Sequence, residues 1–226
     1  MLEDRRYQRQ RTRLVDELRG KGIHDERVLA AIAAVPRHAF VEQALRGRAY
    51  EDEALPIGLK QTISQPFTVA YQTMMLAPRS GERILEIGTG SGYQAAILCE
   101  MGARVFSVER HKLILDRTRR LLEELGYKLM VRHGDGTLGW PTFAPYDGII
   151  VTAGASRVPN PLLEQLRLPE EPEGAGGRLV IPIGDARGQV MNRIVRVGPH
   201  DYEREEAHAF RFVPLIGEGG GGMMEG

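Results

Sequence analysis

The chain has one cysteine, Cys99, so it can form neither an intramolecular disulfide nor a cysteine-based metal cluster. That usage suits a reducing compartment, and Cys99 reads as a small buried thiol on a helix, not a nucleophile. Excess charge of one sign is also missing. The 30 Lys+Arg balance 30 Asp+Glu over 226 residues, so no global field draws the chain to nucleic acid or to an anionic membrane. No run approaches the roughly 20 apolar residues that span a bilayer. The charged start (Arg5, Arg6, Arg9, Arg11, Arg13) is not followed by an apolar stretch of signal-peptide length. A cytoplasmic monomer is expected. No group of His, Asp and Glu has metal-ligand spacing, so no metal is expected. Lysine occurs four times against 26 arginines, and asparagine only at Asn160 and Asn192. Codon usage in a GC-rich genome accounts for both biases, with adaptation to heat as a weaker alternative.

A chain of this length predicts one domain with a substantial core. Residues 5–20 and 25–35 have helical apolar spacing (Leu14, Val15, Leu18; Val28, Leu29, Ile32, Val35) and are separated by Gly20 and Gly22. Residues 36–63 show no clear period. A further helix starts near Pro66, which a first turn tolerates, and ends before Pro78. From residue 83 strands and helices alternate. Strands are predicted at 83–87, 104–109, 128–133, 147–152 and 178–183, with helices at 92–101, 111–125 and 160–167. Such alternation implies a parallel sheet covered on both faces. Residues 189–197 and 203–213 look like two strands with no helix between them, hence an antiparallel edge. The predicted class is α/β: a doubly wound, mostly parallel Rossmann-like sheet with N-terminal helices. Residues 169–177 form a loop, and 217–226 a flexible, glycine-rich tail.

The densest signal is Arg83-Ile-Leu-Glu-Ile-Gly-Thr-Gly-Ser-Gly-Tyr93. It reads as a strand carrying one acid (Glu86), a loop with glycines at Gly88, Gly90 and Gly92, and a helix whose first N–H groups face the loop's contents. A dinucleotide fingerprint would place its third glycine where Tyr93 stands. The pattern points instead to a nucleoside cofactor without a pyrophosphate, although a lone glycine triplet also fits an ordinary strand-to-helix turn. In an open parallel sheet, ligands sit beyond the carboxyl ends of the strands. The second strand ends at Glu109, placed to accept from a ribose diol, or else a solvated charge at a helix start. The third ends in His133-Gly134-Asp135-Gly136, where Asp135 could accept from an adenine amino group or simply make a turn. His38 and His133 read as structural. Glu123, Glu124, Arg117, Arg119 and Arg120 read as mostly a solvated helix face.

Together these residues resemble the class I S-adenosylmethionine-dependent methyltransferases over about 80–185. Gln61-Thr-Ile-Ser-Gln-Pro66, Val35-Pro-Arg-His-Ala-Phe-Val41, Ala54-Leu-Pro-Ile-Gly58, Arg132-His-Gly-Asp-Gly136 and Arg211-Phe-Val-Pro-Leu215 resemble the bacterial protein-L-isoaspartate O-methyltransferases, extending the likeness to about 10–216. It implies one methyltransferase domain over 1–216. Residues 1–79 would form the helical and substrate-facing segment, 80–185 the cofactor core and 186–216 the C-terminal strands. The acidic loop at 169–177 and the glycine-rich tail depart from the family pattern without touching a motif.

The implied reaction is methyl transfer from S-adenosyl-L-methionine to the free α-carboxylate of an L-isoaspartyl residue in a damaged protein or peptide. S-adenosyl-L-homocysteine is the other product, and the ester closes to a succinimide. From the residues alone Ser64 reads as an N-cap ahead of Pro66; the resemblance makes it the active-site serine. Thr62 and Ile63 would line the same pocket, and Val213, Pro214 and Leu215 would contact the peptide. Glu86, Gly88, Gly90, Gly92, Glu109, Asp135 and Gly136 would hold the cofactor. Rival readings are a methyltransferase acting on RNA or a small molecule, a nicotinamide oxidoreductase and a non-catalytic nucleoside-binding module. The zero net charge and Thr152-Ala-Gly-Ala155 at the fourth strand end, in place of an Asn/Asp-Pro-Pro-aromatic tetrapeptide, argue against RNA. Tyr93 and the long segment ahead of the loop argue against nicotinamide chemistry. The intact segment around Ser64 argues against a non-catalytic module.

Overall fold

The computed structural model describes residues 5–171, 174–185 and 187–218. Helices α1 (Arg5–Gly20) and α2 (Glu26–Ala34) bury Leu14, Leu18, Val28, Leu29 and Ile32, five of the seven positions singled out by their helical spacing; Val15 is partly buried, and Val35 is buried just past α2 as its C-cap. Asp25 caps α2 by accepting from the Arg27 N–H. A hairpin that the sequence pattern did not predict follows, β1 (Leu55–Gly58) and β2 (Gln61–Ile63), paired antiparallel with Leu55 opposite Ile63. Its turn holds Leu59 and Lys60 at positive φ. Helix α3 (Pro66–Leu76) then leads into β3 (Arg83–Ile87), α4 (Tyr93–Glu100), β4 (Arg104–Glu109), α5 (Lys112–Glu124), β5 (Met130–His133), β6 (Gly148–Val151), α6 (Asn160–Glu164), β7 (Arg178–Asp185), β8 (Gly188–Arg196) and β9 (Tyr202–Phe210).

One sheet runs in the order β5-β4-β3-β6-β7-β8-β9. Its strands are parallel from β5 to β7, and β8 and β9 add the predicted antiparallel edge. The chain leaves β3 toward β4 and β5, then returns across to β6, so the order reverses between β3 and β6. A crevice at the carboxyl ends of these two strands follows from the divergence of their connections. Leu85 and Ile87 of β3 pack into one core layer with Phe106, Ile149 and Leu179, while Ile84 packs on the opposite face with Leu98, Val105 and Val180.

No described helix is long and apolar enough to cross a membrane. The tail departs from expectation at its start: the Glu218 N–H donates to Asp135 Oδ2 at 2.8 Å. Residues 219–226 of the expected flexible tail lie outside the described residues, as do 172 and 173 of the acidic loop. Burial pushes the Cys99 thiol up to about 12. The folded protein should therefore resist alkylation by iodoacetamide at pH 8, with mass-detected labelling appearing only after denaturation.

Candidate active site

A cavity opens at the reversal point, beyond the carboxyl ends of β3 and β6. Its wall includes Thr62, Ile63 and Ser64 from the hairpin exit, Gly88 and Gly90 from the glycine loop, and Glu109 from the end of β4. Gly136, Val213, Pro214 and Leu215 complete the predicted residues that line it.

Each of these segments reaches the cavity for a local reason. The ladder of β1 and β2 ends at Ile63, so Ser64 leaves the sheet at the cavity edge. The Ser64 hydroxyl does not cap α3. The N-cap position is Gln65, without a side-chain bond, and Asp52 Oδ1 accepts from the Phe67 N–H at 2.7 Å in its place. Ser64 therefore keeps its hydroxyl free of described protein partners. The C-terminal segment is clipped beside β6: the Gly154 N–H donates to Val213 O at 2.8 Å and the Leu215 N–H to Gly154 O at 2.7 Å.

Gly88 has φ +96°, and a Cβ there would lie 2.4 Å from Thr152 Oγ1. The Thr152 hydroxyl lies 2.7 Å from Gly88 O and 3.0 Å from Ile87 O and shares its one hydrogen between them, holding the loop against β6. Glu109 is nearly fully buried and accepts from the Gly90 N–H and the His111 N–H, both at 2.8 Å, one on each oxygen. Both oxygens keep a second acceptor position open.

Three predicted cofactor residues are placed differently. Glu86 is fully buried and absent from the cavity wall, because alternation along β3 turns it with Ile84 under α4. The Ser107 hydroxyl donates to Glu86 Oε2, and Ser107 Oγ lies 2.6 Å from Thr89 Oγ1, so Glu86 supports the loop from beneath. Gly92 is the N-cap of α4 and packs on α5, where a Cβ would meet Thr118 Cγ2 at 2.7 Å. Asp135 also stands off the wall: Oδ1 accepts from the Thr137 N–H and hydroxyl, and Oδ2 from Glu218. Partial burial acts to raise the Asp135 carboxyl, but these donors together outweigh it and hold the group below its ordinary value. Only its neighbour Gly136 reaches the cavity.

Burial, opposed by the Ser107 bond and reinforced by Glu109, raises the Glu86 carboxyl from its ordinary 4.5 to about 8. Between those values the folded chain holds a proton that the unfolded chain has released. This group's contribution to stability therefore falls as pH rises through that window. Glu86→Gln, which mimics the protonated acid, should flatten the fall. Urea midpoints at pH 5 and pH 8 should converge in the variant relative to the parent; an unchanged difference contradicts the assignment.

Several wall residues carry no motif in the sequence. Gln72 donates to Val151 O at 2.9 Å and Gln94 to Thr73 Oγ1 at 2.9 Å, while Gln94 Oε1 is buried without a partner among the described residues. A glutamine within an otherwise buried helix is the available signal for both. Arg117 is exposed on the solvated face expected for it, and it also donates to Ile57 O at 2.7 Å, tying the hairpin to α5. His38 and His133 are structural: His38 Nδ1 sits 2.8 Å from the Tyr50 hydroxyl and its ring stacks on Tyr7, and His133 Nε2 lies 2.9 Å from Arg110 O.

Comparison with known proteins matches this arrangement. The family model for protein-L-isoaspartate(D-aspartate) O-methyltransferase fits residues 9–220. A protein-L-isoaspartate O-methyltransferase of Salinibacter ruber is 66% identical over 223 residues, 97% of each chain. One from Cytophaga hutchinsonii is 50% identical over 93% of this chain and 92% of its own. A solved protein-L-isoaspartate O-methyltransferase superposes with a TM-score of 0.80 at 29% identity, covering 93% of this chain and 67% of that one. A Plasmodium falciparum protein crystallised with S-adenosyl-L-homocysteine shares the fold at a TM-score of 0.77 and 22% identity, over 91% of this chain and 98% of that one. On sequence and fold together, the chain belongs to the protein-L-isoaspartate(D-aspartate) O-methyltransferase family.

Proposed function

We propose that the cavity transfers a methyl group from S-adenosyl-L-methionine to the free α-carboxylate of an L-isoaspartyl residue in a damaged protein or peptide, releasing S-adenosyl-L-homocysteine. The observation that carries this reading is that Ser64, its hydroxyl unengaged, and the glycine loop share one cavity, in a chain of this family.

The residues present suit the donor. Gly88, at φ +96° and packed against Thr152, turns bare backbone along the cavity wall, and Glu109 keeps acceptor positions for ribose hydroxyls. The unpartnered Gln94 Oε1 can accept from the donor's ammonium group. Gly90 and Gly136 present bare backbone, while Glu86, Gly92 and Asp135 hold the surrounding structure.

Once bound, the donor supplies an electrophilic methyl group on a sulfonium sulfur. The acceptor is a carboxylate, ionised well below neutrality, so the chain needs no strong general base. Its task is alignment. Ser64 donates to one carboxylate oxygen and so orients the other toward the methyl group. Positioning of this kind can contribute up to ~7–11 kcal/mol of barrier reduction. Ile63 and Leu215 are buried apolar walls that limit water, while Thr62, Val213 and Pro214 contact the peptide beside them. In the released ester, the backbone nitrogen of the next residue attacks the carbonyl and expels methanol. The resulting succinimide hydrolyses in part to normal aspartate.

In this reading residues 1–216 act as one domain, with 1–79 presenting the acceptor, 80–185 the donor and 186–216 closing the site. The single cysteine supports a reducing, cytoplasmic setting and the balanced charge a protein that works without nucleic acid; a monomer suffices for the reaction, since the residues assigned to it come from one chain. The test is incubation with methyl-labelled S-adenosyl-L-methionine and an L-isoaspartyl peptide, with bulk RNA in a parallel reaction. Label released as methanol by mild base from the peptide, with none on RNA, is expected. Base-stable label, or label on RNA, contradicts the proposal.

A further inference from the structure

Arg37 is the largest fully buried side chain among the described residues, in a short 3-10 turn (Arg37–Phe40) far from the cavity in sequence. Its described hydrogen bonds all go to backbone carbonyls and none to a carboxylate. Nε donates to Ala49 O at 2.8 Å, and Nη2 to Ser64 O at 2.8 Å and Glu53 O at 3.4 Å. The guanidinium carbon sits 4.8 Å from the ring centroid of Tyr93. Tyr93 opens α4 immediately after the glycine loop and lines the cavity. Burial pushes the Arg37 guanidinium down to about 10, so it stays charged near neutrality.

A cation held this deeply without a bonded carboxylate costs stability that an apolar side chain of similar volume would not. What it gives in return is geometry. A planar fork fixes several acceptors at set angles while stacking on an aromatic ring, which an ammonium cannot do. The acceptors include the serine just past the point where the β2 ladder stops holding the chain. We propose that Arg37 is a positioning residue for methyl transfer: bonded to the Ser64 carbonyl and stacked on Tyr93, it sets the separation between the acceptor serine and the donor loop. This inference rests on the methyl-transfer reading above.

A double-mutant cycle tests it, using the full chain with Arg37→Lys, Arg37→Gln and Ser64→Ala alone and combined. Arg37→Lys should lower kcat on an isoaspartyl peptide by about 10-fold or more when Ser64 is present, but by less than about 3-fold in the Ser64→Ala background. Affinity for S-adenosyl-L-homocysteine and the circular dichroism should stay close to those of the parent. Equal losses in both backgrounds overturn the proposal, as does an undiminished kcat in a folded Arg37→Lys variant. Failure of both Arg37 variants to fold overturns it too, because the residue is then a determinant of folding. Those three outcomes leave methyl transfer itself intact. A parent protein inactive on the isoaspartyl peptide refutes both.

Discussion

Gly88→Ala should weaken binding of S-adenosyl-L-homocysteine by roughly 100-fold, a loss of about 2.7 kcal/mol. At φ +96° an L-residue is strained, and the new Cβ would lie 2.4 Å from Thr152 Oγ1. Thr152 cannot simply turn away, because its hydroxyl is bonded to the carbonyls of Ile87 and Gly88. Either the loop shifts into the cavity or Thr152 releases it, and each change spoils the surface that faces the donor. Backbone strain alone is worth about 1–3 kcal/mol, so a control is needed. Gly126 has φ +82°, a Cβ there would meet nothing within 4 Å, and the residue does not line the cavity. Gly126→Ala should therefore lower the thermal midpoint while leaving affinity within about 2-fold of the parent, since distant sites act independently. Calorimetric titration of both variants separates loop geometry from general strain. Equal affinities in the two would contradict the account.

Ser64→Ala should lower kcat on an isoaspartyl peptide by about 10- to 100-fold, the worth of a hydrogen bond to a charged group. Affinity for S-adenosyl-L-homocysteine should hardly change, since the proposal places Ser64 in the acceptor half of the cavity. Helix α3 should be undisturbed as well, because its first turn is satisfied by Asp52 and not by Ser64. Rapid-quench measurement of single turnovers, together with cofactor titration, checks both parts. A collapse of cofactor affinity would make Ser64 a donor-side or structural residue.

Much of this architecture is legible in the sequence because its central strands are short apolar runs separated by amphipathic helices. Residues 83–87 and 104–109 form strands with the predicted bounds, and 5–20 forms α1 as read. The hairpin at 55–63 escapes the pattern. Its strands are four and three residues long, one contains Pro56, and its turn uses Leu59 and Lys60 at positive φ instead of a glycine pair. The glycine loop and Glu109 can be read because their spacing is local. Glu86 is expected to face the ligand, yet period-two alternation aligns it with Ile84, on the face that packs under α4. Asp135 stands off the wall because it turns to Thr137, two residues on, and to Glu218, a partner 83 residues away that no local window shows. Ser64 needs the family resemblance, and Arg37, Gln94 and Thr152 need the fold, since their roles depend on contacts that no window of sequence contains.

The most direct test of the central claim compares two peptides that differ only in whether one residue is L-isoaspartate or normal aspartate. With saturating S-adenosyl-L-methionine, kcat/KM should favour the isoaspartyl peptide by at least about 100-fold, because only its backbone geometry brings a free α-carboxylate to Ser64. Equal kcat/KM for the two peptides would contradict the account.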